Sequence, residues 1–374
     1  MRSVHPALKT LSLLAPLTLG LTLGAARAGG GAAPPATPTP AAPTTNPAAA
    51  VQPARPAASN VSLRALADAR GLLLGAAVNQ TLFDPDEPEY ARTLNRHFNA
   101  VVAENAMKWA GLHNNREAFA FGFADAIVNT AVKNGQTVRG HTLVWHDSLP
   151  PWVYTIQTRE ELLRAMQDHV TGVVTHFRDR VRIWDVVNEA VSDAPGHPLR
   201  PSPFLNLIGP DFIDEAFRAA HAADPGAKLY YNDYNTDGLN GKSDAVYELV
   251  RGMLARGVPI HGVGFQAHLN TDFDVKGAQV QANLQRFRDL GLDVQLTEVD
   301  VQLRPARPEL GELARQAAVY RDLLRACLNV RCAGFVTWGV TDFNSWRAGG
   351  KPLIFDDVYD PKPAFAALAQ ELAR

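Results

Sequence analysis

The sequence predicts an α/β protein that folds as a single closed (β/α)8 barrel. Two observations predict this fold. Short apolar runs alternate with amphipathic helical stretches along the chain, and polar residues gather at one end of those runs. Strand–helix alternation is typical of a parallel sheet with right-handed crossovers. Eight such units close into a barrel, although the pattern by itself is compatible with six to eight strands.

The candidate strands are apolar runs too short to be buried helices. They cover residues 72–78, 100–103, 137–143, 182–187, 228–231, 262–265, 293–296 and 334–337. Among the stretches between them, four have clear amphipathic helical spacing, at residues 212–223, 243–256, 280–290 and 313–326. This order predicts that helices surround a parallel barrel of strands.

Polar side chains are predicted to lie at the carboxyl ends of these strands. In a parallel barrel that end carries the active site. The residues at or just after the predicted ends are Asn79, Glu104, Asn105, His141, Asn188, Glu189, Asn232, Asp233, Gln266, His268, Glu298, Asp300, Trp338 and Asp342. A random scatter of polar residues would not be phased in this way.

Two of these residues, Glu189 and Glu298, each end an apolar run. Glutamate is rarely buried unless it is paired, so packing alone does not explain them. Glycoside hydrolysis requires one acid that protonates the leaving oxygen and one carboxylate at the anomeric carbon. We therefore predict that this pair is catalytic; the alternative is two structural ion-pairing glutamates.

His268 and Asp300 are predicted to support the carboxylate of Glu298. His268 follows Gln266 by two residues, which places both on one side of a pleated strand, and Asp300 follows Glu298 by the same spacing. A histidine beside a carboxylate can hydrogen-bond it and keep it ionised. The alternative is a surface histidine at a strand end.

No metal or cofactor is expected. His141 and His146 are five residues apart along a predicted strand and so face opposite sides, which makes a poor zinc pair. The sequence contains no P-loop, no dinucleotide-binding glycine motif at a strand–helix turn and no G-x-S-x-G elbow. The predicted chemistry needs neither a nucleotide nor a serine nucleophile.

Tryptophans are predicted to contact a sugar. Trp184 lies inside a candidate strand and is expected in the core, whereas Trp109, Trp145, Trp338 and Trp346 follow strand ends. Aromatic faces suit the apolar face of a pyranose ring, and nearby polar groups suit its hydroxyls. Ordinary loop packing is the alternative for each of them.

The first 60 residues are not expected to fold with the rest. Residues 1–28 have a basic start, an apolar run and an Ala-Arg-Ala cleavage site, which indicates a secretory signal cleaved after about Ala28. A membrane anchor is the alternative, but the run is short and interrupted, so we expect no stable membrane insertion. Residues 29–60 form a Pro/Ala/Thr-rich linker, and residues 61–374 form the catalytic domain.

Charge and cysteine content limit the partners and the compartment. The net charge is −2, from 36 basic and 38 acidic residues without a basic run, so nucleic acid is not an expected partner. We expect the protein to be a monomer. In a secreted chain, Cys327 and Cys332 predict a disulfide. Its short loop corresponds to roughly 2 kcal/mol of stabilisation.

Seven ordered blocks resemble the endo-1,4-β-xylanases of glycoside hydrolase family 10. The resemblance extends over about residues 63–372, in the blocks 104–109, 140–146, 184–189, 231–235, 264–268, 297–300 and 338–342 with 345–347. It implies a TIM barrel that cleaves xylan and xylo-oligosaccharides with retention. Ala106 stands where glutamate is common, and Phe343 and Asn344 where lysine and tyrosine or aspartate are common.

The resemblance also implies residue roles, with Glu189 as acid/base and Glu298 as nucleophile. The remaining implied contacts are Glu104, Asn105 and Lys108 on the sugar one unit further from the cleaved bond, His141, Asn188, Gln266 and His268 around the reacting sugar, Trp338 and Trp346 as its wall, and Tyr234 on the leaving-group side. The alternatives are a β-1,4-glucanase or cellulase, a non-catalytic glycan-binding barrel and a metal-dependent deacetylase.

Overall fold

The computed structural model describes residues 61–307 and 309–374. The predicted secretory signal and the predicted linker lie outside the described residues. In the described part of the chain, eight parallel strands close into a barrel, and the last of them, Gly334–Thr337, pairs back to the first, Leu73–Val78. A short additional strand, His268–Asn270, pairs with the end of the strand Asp293–Gln302. The predicted (β/α)8 barrel is confirmed.

The strands are longer than their apolar runs at several carboxyl ends. Their bounds are β1 Leu73–Val78, β2 Ala100–Ala103, β3 Thr137–Trp145, β4 Val181–Asn188, β5 Lys228–Asp233, β6 Gly262–Phe265, β7 His268–Asn270, β8 Asp293–Gln302 and β9 Gly334–Thr337. Residues 144–145, 188, 232–233 and 297–302 thus extend strands that the sequence predicted to end earlier. The reason is that these extensions carry polar side chains, whose hydrogen bonds at the barrel mouth replace apolar burial.

Helices surround the barrel. Their bounds in the described residues are α1 Leu63–Arg70, α2 Pro88–His97, α3 Trp109–Leu112, α4 Gly122–Lys133, α5 Arg159–His176, α6 Pro203–Leu207, α7 Phe212–Ala223, α8 Gly241–Ala255, α9 Val280–Asp289, α10 Glu309–Asn329 and α11 Pro363–Leu372. All four predicted helices are present, within four residues at each end. None of the described helices is long and apolar enough to cross a membrane.

Local sequence explains where α8 begins. The Asn240 side chain accepts a hydrogen bond from the Ser243 N–H, and the Ser243 hydroxyl accepts one from the Asn240 N–H. This reciprocal cap satisfies two backbone donors that a helix start would otherwise leave unpaired. It fixes the end of the β5–α8 loop, which carries Tyr234 on the rim of the barrel mouth.

The core contains Trp184, as predicted, and the glycine opposite it makes room for the indole. Trp184 on β4 is fully buried and is in register with Gly140 on β3. A Cβ atom at Gly140 would lie 2.2 Å from the indole ring of Trp184, which is far inside van der Waals contact. The close approach of these two strands therefore requires glycine at this position.

The predicted disulfide is present. Cys327, in the last turns of α10, is bonded to Cys332, and their Cα atoms are 5.0 Å apart. Both side chains are buried, and the link closes the turn that leads into β9. It thereby tethers the end of α10 to the start of a barrel strand.

Candidate active site

Glu189 is the first residue after β4, and its backbone has an unusual conformation. Its φ angle is +57°, in the left-handed region that non-glycine residues seldom adopt. The Glu189 N–H donates to the Asn232 carbonyl at 2.8 Å, which keeps the turn attached to β5. The turn directs the carboxylate toward Trp145, whose Nε1 donates to Glu189 Oε2 at 2.8 Å, and toward Gln266, whose Nε2 donates to Oε1 at 2.9 Å.

Glu298 lies inside β8, which corrects the prediction that it follows a strand end. Its N–H donates to the Gln266 carbonyl at 3.0 Å, and the residue is 4% exposed. Regular pairing of β8 with β6 stops at Leu296, and pairing with β7 begins at Asp300. Glu298 therefore occupies the irregular step between two partners. Such irregularities are common beside active sites because they redirect a side chain.

Three amide side chains connect the two carboxylates. Asn232 Nδ2 donates to Glu298 Oε1 and to Asn188 Oδ1, both at 2.8 Å. Gln266 Nε2, which donates to Glu189, also lies 3.4 Å from Asn188 Oδ1. Asn188 and Gln266, both predicted site residues, are thus brought between the glutamates, and the chain of amides fixes the position of one carboxylate relative to the other.

Asn232 was noted at a strand end but was not assigned to the site. Its Oδ1 accepts a hydrogen bond from the Thr297 hydroxyl at 2.6 Å, which turns the amide so that Nδ2 faces Glu298. The position of Asn232 at a strand end, in phase with the other polar residues, indicates that it belongs to the site. Its contact with Thr297 could not be predicted, because Thr297 lies three strands later in the sequence, on β8.

His268 lies between Glu298 and Asp300 and is hydrogen-bonded to both. His268 Nε2 donates to Glu298 Oε2 at 3.1 Å, and Nδ1 donates to Asp300 Oδ2 at 2.9 Å. Burial alone would lower the pKa of His268, but the charges and hydrogen bonds of Asp300 and Glu298 outweigh it and raise that pKa to about 10. The imidazolium therefore donates from both nitrogens at neutral pH.

The expected reason for the His268 contact is wrong in one respect. Gln266 and His268 do not share one continuous strand, because β6 ends at Phe265 and β7 begins at His268. Between them Ala267 has a φ angle of +61°. This turn, and not a strand pleat, presents Gln266 to Glu189 and His268 to Glu298.

The surroundings of Glu298 favour its ionised form. Burial tends to raise the pKa of this carboxyl, but the His268 hydrogen bond and the nearby His141 and His268 charges lower it below its ordinary value. His141 Nδ1 lies 4.0 Å from Glu298 Oε1. An ionised carboxylate held in this way is suited to attack an electrophilic carbon.

His141 is itself held by a buried ion pair. Its Nδ1 lies 3.0 Å from Asp185 Oδ2, and Asp185 also accepts from both the Nε and Nη2 groups of Arg139. Burial tends to raise the pKa of Asp185. Arg139 and His141 together have the larger, opposite effect, so this pKa lies below its ordinary value. Arg139 and Asp185 are not among the residues predicted for the site, although charged residues inside apolar strands require partners and this signal was available in the sequence.

Asp300 and the two tryptophans form one wall of the mouth. Trp346 Nε1 and Arg347 Nη1 donate to Asp300 at 2.9 Å and 3.0 Å. The Trp346 ring is 5.1 Å from the His268 ring, and the Trp338 ring is 5.2 Å from the His141 ring. Trp346 is 56% exposed, so one indole face remains open to a ligand.

Glu104, Asn105 and Lys108 lie together on the adjoining side of the mouth. Glu104 Oε2 accepts from Asn79 Nδ2 at 3.2 Å, and Lys108 Nζ donates to Asn105 Oδ1 at 2.7 Å. The ammonium group is 5.0 Å from the centroid of the Trp145 ring. These predicted sugar-binding residues are therefore continuous with the indole that contacts Glu189.

Tyr234 lies on the opposite side, in a charged cluster that the sequence analysis missed. Its hydroxyl donates to Asp193 and accepts from Arg200 Nη2 at 2.9 Å. Buried Lys242 has its ammonium 3.6 Å from the Tyr234 ring centroid and 3.2 Å from Asp193. A cavity of about 660 Å³ adjoins this cluster and extends to His268. No sequence signal linked these residues, because Asp193 and Arg200 follow β4, Tyr234 follows β5 and Lys242 lies in the first turn of α8.

Trp109 does not contribute to the site, which corrects one expectation. It is 2% exposed, and its ring stacks on that of His169 with centroids 4.0 Å apart. Its position after a strand end does not predict its environment, because α3 begins at Trp109 and directs the indole into the protein core. Within residues 61–307 and 309–374, no group of three or more His, Cys, Asp or Glu side chains is arranged to hold a metal ion.

Comparison with known proteins gives consistent matches. The chain is 42% identical to endo-1,4-beta-xylanase B of Thermotoga neapolitana over 325 residues, which cover 83% of this chain and 91% of the relative. The structure of xylanase 10B from Thermotoga petrophila in complex with xylobiose matches with a TM-score of 0.81 and 40% identity, over 84% of this chain and 98% of that one.

A second solved structure agrees. The intracellular xylanase TsXylA of Thermoanaerobacterium saccharolyticum, in a complex with xylotriose, has a TM-score of 0.78 and 34% identity, over 83% of this chain and 99% of that one. The model of the family described as glycosyl hydrolase family 10 matches residues 62–371. The match spans the whole barrel and both glutamates, and the chain therefore belongs to glycosyl hydrolase family 10.

Proposed function

We propose that this chain is an endo-1,4-β-xylanase, which hydrolyses internal β-1,4-xylosidic bonds of xylan with retention of configuration. The observation that carries the proposal is the pair of glutamates in contrasting surroundings. Glu298 is buried beside a protonated His268, whereas the Glu189 side chain is 12% exposed and contacts only neutral donors at hydrogen-bonding distance. One group is suited to remain ionised and the other to exchange a proton.

In the first step Glu298 attacks the anomeric carbon while Glu189 donates its proton to the leaving oxygen. The bond to the leaving sugar breaks, and a covalent glycosyl-enzyme forms at Glu298. His268 holds the Glu298 carboxylate through Oε2 at 3.1 Å, and Asn232 orients the other oxygen, Oε1, which makes the attack. His141 Nδ1 lies 4.0 Å from Oε1.

In the second step Glu189, now ionised, takes a proton from water. The resulting hydroxide attacks the anomeric carbon from the side that the leaving sugar vacated, and Glu298 is released. Trp145 Nε1 and Gln266 Nε2 donate to the two Glu189 oxygens, so the carboxylate keeps its orientation between its acid and base roles. Two displacements at one carbon give overall retention.

The remaining site residues are proposed to bind the sugars. Glu104, Asn105 and Lys108 hold the unit one position beyond the reacting sugar, and Tyr234 contacts the leaving-group side. His141, Asn188, Gln266 and His268 surround the reacting sugar, with Trp145, Trp338 and Trp346 against its apolar faces. Such a mixture of aromatic faces and a few convergent polar groups is typical of carbohydrate sites.

The function is tested by product analysis on purified xylan and on carboxymethyl cellulose, both in the presence of a chelator. A xylanase should release a ladder of xylo-oligosaccharides from xylan and little reducing sugar from the cellulose. Faster release from the cellulose would favour a glucanase, no release a non-catalytic barrel, and loss on chelation a metal-dependent enzyme. Proton NMR during early turnover should detect the β-anomer first.

We also propose that the chain is secreted and acts as a monomer. The support is in residues 1–28, which have the charge pattern, apolar run and cleavage site of a secretory signal. Expression in a bacterial host with sequencing of the mature N-terminus should locate the cut after about Ala28. Sedimentation of the mature protein should give a single-chain mass; an uncleaved, membrane-bound product would contradict the proposal.

A further inference from the structure

Three exposed phenylalanines lie on adjacent segments that follow the carboxyl ends of three barrel strands. Phe343 is 65% exposed, Phe83 42% and Phe123 45%. They follow β9, β1 and β2 respectively, and these three strands are neighbours in the barrel. The rings of Phe83 and Phe123 meet edge to face, with centroids 6.0 Å apart. We call these three residues the aromatic rim.

Hydrogen bonds connect the aromatic rim to Glu104. Asn79 Nδ2 lies 3.2 Å from Glu104 Oε2 and 3.4 Å from the Asn344 carbonyl, so one amide joins the two loops. The Thr81 hydroxyl donates to Asn344 Oδ1 at 3.1 Å. The residue next to Phe343 is therefore fixed to the 3-10 helix Gln80–Phe83, which ends in another rim residue.

The position of the aromatic rim limits what it can bind. Glu104 is proposed to hold the sugar one unit beyond the reacting sugar, and Asn79 connects it to the segments that carry Phe83 and Phe343. A chain that continues past Glu104 in this direction would meet the aromatic rim. Exposed apolar patches bordered by polar residues often mark binding surfaces, and here the patch continues an existing cleft.

We propose that the aromatic rim binds xylose units further from the cleaved bond than the unit at Glu104. This inference rests on the proposed function and extends it to chain-length preference. A xylopyranose ring presents an apolar C–H face that stacks on a phenyl ring, and xylose carries no hydroxymethyl group that would obstruct this contact. Long xylan chains gain contacts at the rim that an aryl xylobioside cannot reach.

The test compares two substrates in the full mature chain. Xylohexaose can reach past Glu104 to the rim, whereas an aryl xylobioside fills only the two positions before the bond. The variants are Phe343→Ala and the double variant Phe83→Ala with Phe123→Ala. Half-burial of one ring against a sugar corresponds to about fivefold in kcat/KM. Phe343→Ala should therefore lower the ratio of xylohexaose to aryl xylobioside kcat/KM by about that factor, and the double variant, which removes two rings, should lower it by more.

Val132→Ala is the matched control, because Val132 is 48% exposed and lies near the far end of α4, the helix that carries Phe123. It should leave the ratio unchanged. Equal ratios in wild type and all variants, with both substrates cleaved, would refute sugar binding at the aromatic rim and leave the proposed function standing. A wild-type chain inactive on both substrates would overturn the proposed function and this inference with it.

Discussion

The two glutamates of the site have different neighbours, and this difference is the basis of the different tasks that we propose for them. Glu298 accepts from Asn232 and from protonated His268, and its pKa is held below its ordinary value. Glu189 accepts from an indole and an amide, which orient a carboxyl group without a countercharge. The neutral donors permit a cycle of protonation at Glu189 that a fixed cation would oppose.

Alanine at each glutamate should therefore fail differently. Glu189→Ala removes the acid, but a good aryl leaving group needs little protonation, so the first step on an aryl xylobioside should survive while xylan cleavage collapses. Glu298→Ala removes the nucleophile, so both activities should be lost. The measurement is kcat/KM on both substrates, and equal loss of aryl xylobioside turnover in both variants would show that the roles are wrongly assigned.

Trp346 should contribute to the preference for xylose over glucose. Its indole is anchored by Asp300 and lies against His268, where the reacting sugar's C5 substituent is expected. Trp346→Ala should lower the ratio of xyloside to glucoside kcat/KM, by roughly 10–200-fold for a fully excluded hydroxymethyl group, mostly through faster glucoside cleavage.

The loop contacts of Trp346 supply the competing explanation. If the indole only packs the loop and fixes Asp300, both aryl glycosides should lose activity in the same proportion. An unchanged ratio would refute the steric explanation, and Trp346→Phe, which retains a ring without the Asp300 hydrogen bond, separates bulk from anchoring.

At the scale of elements, the site lies where strands depart from regular pairing. Register shifts occur in β3 between His141 and Val144, in β4 between Asp185 and Val187, and in β8 between Leu296 and Val299. Each shift adjoins a residue of the site. Irregular strands are tolerated there because side-chain hydrogen bonds replace the lost ladder contacts, and they turn polar groups into the mouth.

Gly140→Ala should destabilise the barrel at the β3–β4 pair. The new methyl group would overlap the Trp184 indole, which is fully buried and cannot move aside. Overpacking of this kind costs about 1–3 kcal/mol, measured as the free energy of unfolding in denaturant. Gly311→Ala on α10, where a Cβ meets nothing within 4 Å, is the control and should be neutral or slightly stabilising. Equal effects would refute the packing argument.

For the whole molecule, the barrel closes where its first and last helices meet. Arg70 at the end of α1 donates to the Leu372 carbonyl at 2.9 Å. Nearby His97, the last residue of α2, accepts from the Leu63 N–H at 3.5 Å and packs between Phe355 and Phe365. Chain segments far apart in sequence thus share one buried histidine.

This histidine should make stability fall in acid. Burial, with help from Arg96, lowers the pKa of His97 to about 4, from about 6.5 when unfolded. Because the folded pKa is depressed, the contribution of His97 to the free energy of unfolding is complete above pH 6.5. This contribution, up to about 3 kcal/mol, is lost as the pH falls through 4. Denaturant unfolding at several pH values measures it, and His97→Gln should flatten that part of the profile. An unchanged slope would contradict the assignment.

The sequence alone predicted the barrel, the two glutamates and the disulfide, because each leaves a local mark: an apolar period, a carboxylate at the end of an apolar run, or a cysteine pair. Only the tertiary structure decided that Asn232 bridges to Glu298, that Lys242 pairs with Asp193 and that Trp109 is buried against His169. These contacts depend on the stagger between strands around a closed barrel, which joins residues dozens of positions apart and leaves no periodic signal along the chain.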